Sequence, residues 1–277
     1  MAEFLVKNLE LLARGPWAAS AVQVSLVGPP DISDEAAREI DRLWELEIAA
    51  AKQENRLLFN GGILYLQRAV ATSGGLLLEL GTADYKTFLI TTLRHHARFA
   101  THFPGCIRPA LGNSALLTCG QDIILGVRSR RVAAYPGMAH LIGGVLENQP
   151  TKTPEAVAGP RRNASLLQNH LLREIQEELG LMADDLAEVP RVLMLVQDGL
   201  LHQPELIWHC EITASAMEKA AHGTSAQDRH EHDRILRISL SQAAGHSVDD
   251  IAITPATAAA IDMLQRINRP NGPHAIA

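Results

Sequence analysis

Hydrophobic and polar residues alternate along some stretches of the chain and recur at helical spacing along others. Alternating or valine-rich stretches predict strands at residues 21–27, 62–70, 76–80, 114–118, 122–127, 192–196, 205–212 and 235–238, with another at Gly143-Gly144. Apolar residues three and four positions apart predict helices at 34–52, 164–179 and 255–267, and a shorter one from residue 83. Strands on both sides of the 164–179 helix, with a helix at the end, indicate an α/β fold.

The pattern changes near residue 108. The first hundred residues contain a strand, a long helix, two strands joined at Ser73-Gly74-Gly75 and another helix, which together predict a small α+β domain at residues 1–108. The chain turns at Phe103-Pro104-Gly105, and strand patterns become denser from Gly112. A second domain is therefore predicted at residues 109–277.

Composition and charge exclude several classes of protein. With 277 residues, 47% of them hydrophobic, the chain can bury a substantial core. Its 25 basic and 31 acidic residues give a net charge of −6, so no basic field indicates nucleic-acid binding. Three widely spaced cysteines indicate reduced thiols. The N-terminus lacks a signal-peptide core and no apolar run reaches about 20 residues, so a cytoplasmic protein without membrane contact is expected.

The predicted 164–179 helix carries three glutamates on one face. Glu174, Glu177 and Glu178 stand at positions i, i+3 and i+4 and project together. Like charges at this spacing repel, so the cluster destabilises the helix unless a cation or a basic partner lies among the carboxylates. A hard divalent cation with oxygen ligands would remove the repulsion. The alternative is an ordinary solvated helix face.

The order of residues around these acids favours the first interpretation. The segment fills every specified position in the second half of the Nudix box: Arg173-Glu174-Ile175-Gln176-Glu177-Glu178-Leu179-Gly180-Leu181. The chain therefore resembles the Nudix superfamily, which implies an α/β/α sandwich with a mixed sheet, and Mg²⁺ as cofactor with Mn²⁺ as a substitute. The resemblance implies that Glu174 and Glu178 are direct metal ligands, with Gly143 beside them. Glu177 is either a third ligand or a group that orients water, and Arg173 orients the acids.

The first half of the box departs from the family pattern. Gly159 lies fourteen residues before the arginine, as in the family, but Ser165 stands where the box glutamate is usual. Upstream, Gly143-Gly144-Val145-Leu146-Glu147 resembles the Gly-Gly-x-x-Glu entry to the box. Residues 148–163 then form an insertion between strand and helix, and the match of Gly159 is a coincidence.

Several segments resemble the Nudix proteins that hydrolyse UDP-glucose and UDP-galactose. They are Gly81-Thr82-Ala83-Asp84-Tyr85-Lys86-Thr87-Phe88, Arg128-Ser129-Arg130, Val132-Ala133, Pro136-Gly137, Gly143-Gly144 and His230-Glu231. The likeness thus covers most of the chain, and that group shares the long segment and the missing box acid. It implies attack on a pyrophosphate, which releases UMP and a sugar 1-phosphate.

Five further residues are candidates for contact with substrate or water. Arg128, Arg130 and Arg131 follow a predicted strand and could clamp phosphate oxygens, although a solvated strand end is an equal alternative. Tyr85 joins the substrate-binding set by the resemblance. Glu231 lies in a polar loop before a late strand and is the candidate general base, against the alternative of a loop without catalytic function.

Three functions remain open from the sequence. The first is a metal-dependent pyrophosphatase whose nucleotide-linked small-molecule substrate is a UDP-sugar. The second is a hydrolase of ADP-ribose or coenzyme A type substrates. The third is a Nudix-fold binding or regulatory module without catalysis, which the missing box acid and the insertion favour and the intact Arg173 to Gly180 segment opposes. The oligomeric state is not indicated.

Overall fold

The structure is a computed structural model that describes residues 8–28, 31–130, 132, 134–148, 164–222, 232–243, 245 and 247–268. Its strands are β1 (Leu9–Ala18), β2 (Val22–Val27), β3 (Gly62–Thr72), β4 (Gly75–Asp84), β5 (Gly112–Cys119), β6 (Asp122–Arg128), β7 (Ala139–His140), β8 (Ile142–Val145), β9 (Arg191–Asp198), β10 (Gln203–Glu211), β11 (His232–Ser239), β12 (Ser247–Val248) and β13 (Ile251–Ala252). Its α-helices are α1 (Asp34–Gln53), α2 (Tyr85–Phe88), α3 (His96–His102), α4 (Ala164–Leu179), α5 (Ala214–His222), α6 (Leu240–Ala243) and α7 (Pro255–Ile267). The predicted bounds of the 164–179 and 255–267 helices are confirmed.

The largest sheet is mixed. Its strands lie in the order β1-β9-β10-β5-β6-β11, while β7 pairs with β6 and β8 pairs with β5. Strands β10 and β5 run parallel, and the other pairs in this sheet are antiparallel. The short β8 lies beside the start of β5, so it delivers Gly143 and Gly144 next to Ser114 and Asn113.

Helices cover both faces of this sheet. Successive residues of a strand point to opposite faces, and Leu117 of β5 belongs to the apolar cluster around α4, whereas Leu116 belongs to the cluster around α7. The apolar side of α4 is fully buried in the first cluster, at Leu167, Leu171, Ile175 and Leu179. The predicted α/β class and helix–sheet–helix layering are confirmed.

Strand β1 is an element that the sequence pattern did not indicate. It forms one edge of the large sheet by pairing antiparallel with β9, with two irregularities in register. Gly15-Pro16 interrupts its pattern, but an edge strand tolerates proline because one side of its backbone needs no partner. Gly15 lies so close to the backbone carbonyls of Val192 and Leu193 that a Cβ atom there would be 2.4 Å and 2.7 Å from their oxygens.

A second, three-stranded sheet has the order β2-β4-β3. Helix α1 begins where Ser33 caps it, since its side chain accepts a hydrogen bond from Ala36 N at 3.3 Å. Val24 of β2 and Leu78 of β4 lie in the same apolar cluster as Ile175 of α4. The division of the chain into two domains at residue 108 stays a prediction. The apolar cluster, however, contains residues from both sides of this boundary, and β1 belongs to the large sheet.

The second sheet also holds Tyr85 near the Gly143-Gly144 strand. Leu64 N of β3 donates to Leu146 O at 2.8 Å. Asp84 caps α2, because its Oδ1 accepts from Thr87 N at 2.9 Å, and Tyr85 N donates to Gly61 O at 2.8 Å. Of the helices in the described ranges, none is long and apolar enough to cross a membrane.

Candidate functional site

Helix α4 ends where the sequence predicts, and its acids face away from the core. Gly180 has φ +69°, a conformation that glycine adopts without strain, and its N–H donates to Gln176 O at 2.8 Å. Glu178 and Glu174 contact Gly143 and Gly144 of β8, whereas Glu177 lies beside Arg173.

Arg173 lies among carboxylates from two segments. Its Nη2 is 3.0 Å from Glu174 Oε1 and 2.9 Å from Glu147 Oε2, and its Nε is 3.7 Å from Glu177 Oε1. Ser165, where the box glutamate was expected, is exposed. Glu147 therefore supplies an acid that pairs with the arginine of the motif. The Gly-Gly-x-x-Glu pattern was the sequence signal for it. The predicted insertion lies outside the described residues, except for Asn148.

Glu174 is a largely buried carboxylate whose side chain is 15% exposed. Burial raises its pKa to about 7; the hydrogen bond from Arg173 lowers it, and the charges of Glu178 and Glu177 raise it. Its carboxylate lies over Gly144, where a Cβ atom would be 2.6 Å from Oε2. The second glycine of Gly143-Gly144 thus leaves room for this acid.

His170 is a neighbour of Glu174 that sequence reasoning missed. Its Nε2 lies 3.0 Å from Val145 O and 3.4 Å from Glu174 Oε1. Burial, and then the charge of Arg173, lowers its pKa to about 4, so the imidazole is neutral at pH 7. A neutral ring does not compensate the charge of the acid helix.

Glu178 is the most deeply buried of the three acids, with a side chain that is 2% exposed. Its Oε1 accepts a hydrogen bond from Gly143 N at 3.0 Å, and its Oε2 lies 2.5 Å from His232 Nε2. His232 Nδ1 lies 3.2 Å from His140 Nε2, and His140 Nδ1 lies 3.2 Å from Arg128 Nη1. The two histidines, 92 positions apart in the chain, were not among the predicted site residues.

A cavity of about 460 Å³ opens beside the acid helix. Four of the predicted residues line it: Tyr85, Arg128, Gly143 and Glu174. Glu177, Glu178 and Arg130 do not line it, and Arg130 is exposed. Arg131 and Glu231 lie outside the described residues. The volume lies within the range typical of small-molecule sites, roughly 300–1,000 Å³.

Part of the cavity lining is apolar and comes from β3, the segment before it and α2. It includes Phe59, Ile63, Tyr85 and Phe88, and the Tyr85 and Phe88 rings pack edge to face with centroids 5.9 Å apart. Phe59 is 68% exposed. An exposed aromatic ring at the mouth of a cavity offers a surface on which a flat ligand ring can stack.

Asp198 and Glu205 add acidic side chains to the cavity lining. Tyr135 OH donates to Asp198 Oδ2, and burial followed by this hydrogen bond raises the pKa of Tyr135. Burial also raises the pKa of Glu205, the hydrogen bond with Ser114 lowers it, and the charge of Arg128 lowers it further. Both carboxylates can accept hydrogen bonds from ligand hydroxyl groups.

Arg128 already has partners inside the protein. Its Nε donates to Ala134 O at 2.8 Å and its Nη1 donates to His140 Nδ1. Since a guanidinium has five N–H donors, it can still contact a ligand from the cavity wall. Within the described part of the chain, no three His, Cys, Asp or Glu side chains are arranged to hold a metal ion.

Solved structures similar to this chain include Nudix proteins. A mutT/nudix family protein from Listeria innocua is 14% identical, with 57% of this chain and 92% of that chain covered and a TM-score of 0.37. The MutT NUDIX hydrolase from Burkholderia pseudomallei is 19% identical, with coverage of 57% and 98% and a TM-score of 0.38. The NUDIX domain of Shewanella oneidensis NrtR, complexed with ADP ribose, is 13% identical, with coverage of 62% and 97% and a TM-score of 0.41.

No protein-family model matches the chain, and no curated protein matches it. Identities of 13–19% and TM-scores of 0.37–0.41 assign neither a substrate nor a residue role to this chain.

Proposed function

We propose that this protein is a metal-dependent Nudix hydrolase that cleaves the pyrophosphate of a nucleoside diphosphate linked to a second group. The observation that carries the proposal is the acid face of α4 beside Gly143-Gly144, at the edge of a cavity large enough for such a ligand. The complete second half of the Nudix box on that helix supports it.

The donor atoms suit a hard divalent cation. Carboxylate oxygens are preferred ligands of Mg²⁺ and Mn²⁺, and the pKa of Glu174 is raised first by burial, with further increases from Glu178 and Glu177 that a cation would oppose. When bound, the metal would neutralise phosphate oxygens and acidify a water molecule. We assign Glu174 and Glu178 to this site, with Glu177 as a third ligand or water-orienting group and the Gly143 backbone beside them.

The other proposed site residues orient the acids or bind the substrate. Arg173 holds Glu174 and Glu147 in place through ion pairs of 3.0 Å and 2.9 Å. Arg128 and Tyr85 contact the substrate from the cavity wall. Arg130 and Arg131 are proposed as outer phosphate contacts, and Glu231 as the general base.

The chemistry of the residues that line the cavity favours a UDP-sugar among the possible substrates. Its aromatic residues suit a nucleobase, while its acidic residues Asp198 and Glu205 suit a hydroxyl-rich group and repel an additional phosphate. Coenzyme A, which carries an extra phosphate, fits this charge distribution less well. The products would be UMP and a sugar 1-phosphate.

A catalytically silent binding module is the second candidate, and one observation favours it. Each acid has a protein partner: Glu178 has His232, Glu174 and Glu177 have Arg173, and the described side chains hold no three-ligand group. In that case the cavity would bind a nucleotide without hydrolysing it.

The test is a substrate panel of UDP-glucose, UDP-galactose, ADP-ribose, NADH and coenzyme A, with Mg²⁺, with Mn²⁺ and without metal. We expect turnover of a UDP-sugar only with metal, and loss of turnover in Glu178→Gln with retained folding. Glu188→Gln is the matched control, because Glu188 is exposed and does not line the cavity. Binding without turnover under every condition would favour the silent module.

A further inference from the structure

A chain of four polar side chains connects the cavity wall to the acid helix. Arg128 Nη1 lies 3.2 Å from His140 Nδ1, His140 Nε2 lies 3.2 Å from His232 Nδ1, and His232 Nε2 lies 2.5 Å from Glu178 Oε2. Three of the four side chains are shielded from water: those of His232 and Glu178 are 4% and 2% exposed, and His140 is 8% exposed.

The fold leaves space for these four hydrogen-bonded side chains. His140 and Gly126 are opposite each other in the β6–β7 pair. A Cβ atom on Gly126 would lie 2.4 Å from the His232 ring. A side chain at Gly126 would therefore push His232 away from Glu178, so the glycine is part of the same arrangement.

The chemistry of the end groups fixes the direction of every hydrogen bond. A guanidinium only donates, so His140 Nδ1 must accept from Arg128 and His140 carries its proton on Nε2. His140 Nε2–H then donates to His232 Nδ1, which places the His232 proton on Nε2. His232 Nε2–H donates to the Glu178 carboxylate. Both histidines are neutral in this arrangement, and each buried polar atom of the chain is satisfied.

We propose that His140 and His232 are positioning residues that hold the Glu178 carboxylate in one orientation, with Oε1 on Gly143 N–H and Oε2 on His232. The inference rests on the proposed function in assigning Glu178 to the metal site, but the orientation itself exists without metal. A carboxylate fixed in advance loses less conformational freedom when it binds a cation.

The four hydrogen-bonded side chains hold one another in place and do not conduct protons. The first of them, Arg128, does not release a proton in proteins, so no net proton can move along them. These hydrogen bonds instead connect Arg128 in the cavity wall to Glu178 on α4. A change at His140, which does not touch Glu178, should therefore reach the metal site through His232.

Two substitutions of His140 separate hydrogen bonding from packing. In His140→Gln the side-chain amide can accept from Arg128 and donate to His232, as the imidazole does. In His140→Leu both hydrogen bonds are lost. Val127→Ala is the matched control for stability, because Val127 is buried in the same strand region and is not part of the chain.

Two measurements follow on wild type and the three variants. Nitrogen-15 NMR of the histidine rings without metal reports the tautomers, and titration with Mn²⁺ alone, followed by electron paramagnetic resonance, reports the dissociation constant. We expect neutral Nε2–H tautomers for His140 and His232 in wild type. In His140→Leu the single His232 tautomer is lost and the Mn²⁺ dissociation constant rises about tenfold, while His140→Gln stays close to wild type.

The outcomes distinguish this proposal from the proposed function. A His232 proton on Nδ1 in wild type overturns the positioning proposal whatever the metal result. Equal Mn²⁺ affinity in His140→Leu and Val127→Ala also overturns it. If wild type binds no Mn²⁺, the metal-dependent function fails, and the effect of His140→Leu on the His232 tautomer alone decides whether the chain orients Glu178.

Discussion

Replacing Glu174 with glutamine removes one of three like charges from α4 and keeps an oxygen that can accept the hydrogen bond from Arg173. Burial raises the pKa of Glu174 to about 7; Arg173 lowers it, and the charges of Glu178 and Glu177 raise it. The variant therefore mimics the protonated form of this acid at every pH. Its stability relative to wild type should depend on pH in a defined direction.

The sign follows from the raised pKa. The folded chain binds the Glu174 proton more tightly than the unfolded chain, so the resulting stabilisation is present below pH 4.5 and is lost as the pH rises through 7. One pH unit corresponds to about 1.4 kcal/mol, so a rise from 4.5 to about 7 corresponds to roughly 3 kcal/mol. Glu174→Gln has no such loss, and it should be more stable than wild type by about that amount at alkaline pH and similar to it near pH 4.5.

The assay is urea unfolding at a series of pH values without metal, followed by tryptophan fluorescence. The quantity compared is the free energy of unfolding of Glu174→Gln minus that of wild type. Glu188→Gln should follow wild type at each pH. Saturating Mg²⁺ should stabilise wild type more than the variant, because Glu174 is a proposed ligand of the cation. A difference that does not change between pH 5 and pH 8.5 would refute the reasoning.

Three further substitutions test the packing around the site. Gly144→Ala places a Cβ atom 2.6 Å from Glu174 Oε2, so Mn²⁺ affinity measured by titration should fall while circular dichroism stays native. Trp208→Phe removes the 2.7 Å hydrogen bond to Asn113 Oδ1 inside the core, and urea unfolding should show a loss of about 1–3 kcal/mol. Leu171→Ala leaves a cavity under α4, and the same measurement should show a loss of about 2–5 kcal/mol.

Elements with strong local patterns could be predicted from the sequence. Helix α4 has the predicted bounds, because a helical apolar stripe and a glycine at its end are both local signals. Strand β1 could not be predicted, because Gly15-Pro16 breaks its pattern and its pairing with β9 depends on residues far along the chain. Local pattern does not reveal an edge strand that long-range pairing stabilises.

The residues of the candidate site also divide into those with a local sequence signal and those without one. Glu174, Glu177 and Glu178 are neighbours on one helix, so their spacing places them together. His140 and His232 meet only because β7 and β11 both pair with β6, and no sequence spacing signals that contact.

Arg173 has a carboxylate partner that lies far from it in the sequence. In the sequence, Ser165 occupies the place of the usual glutamate, and this absence favoured a silent module. In the structure, Glu147 Oε2 lies 2.9 Å from Arg173 Nη2. An ion pair depends on the positions of its two charges and not on the number of residues between them. Residue 165 is a serine, and Glu147 gives Arg173 a carboxylate partner from elsewhere in the sequence, so the ion pair of Arg173 does not depend on an acid at residue 165.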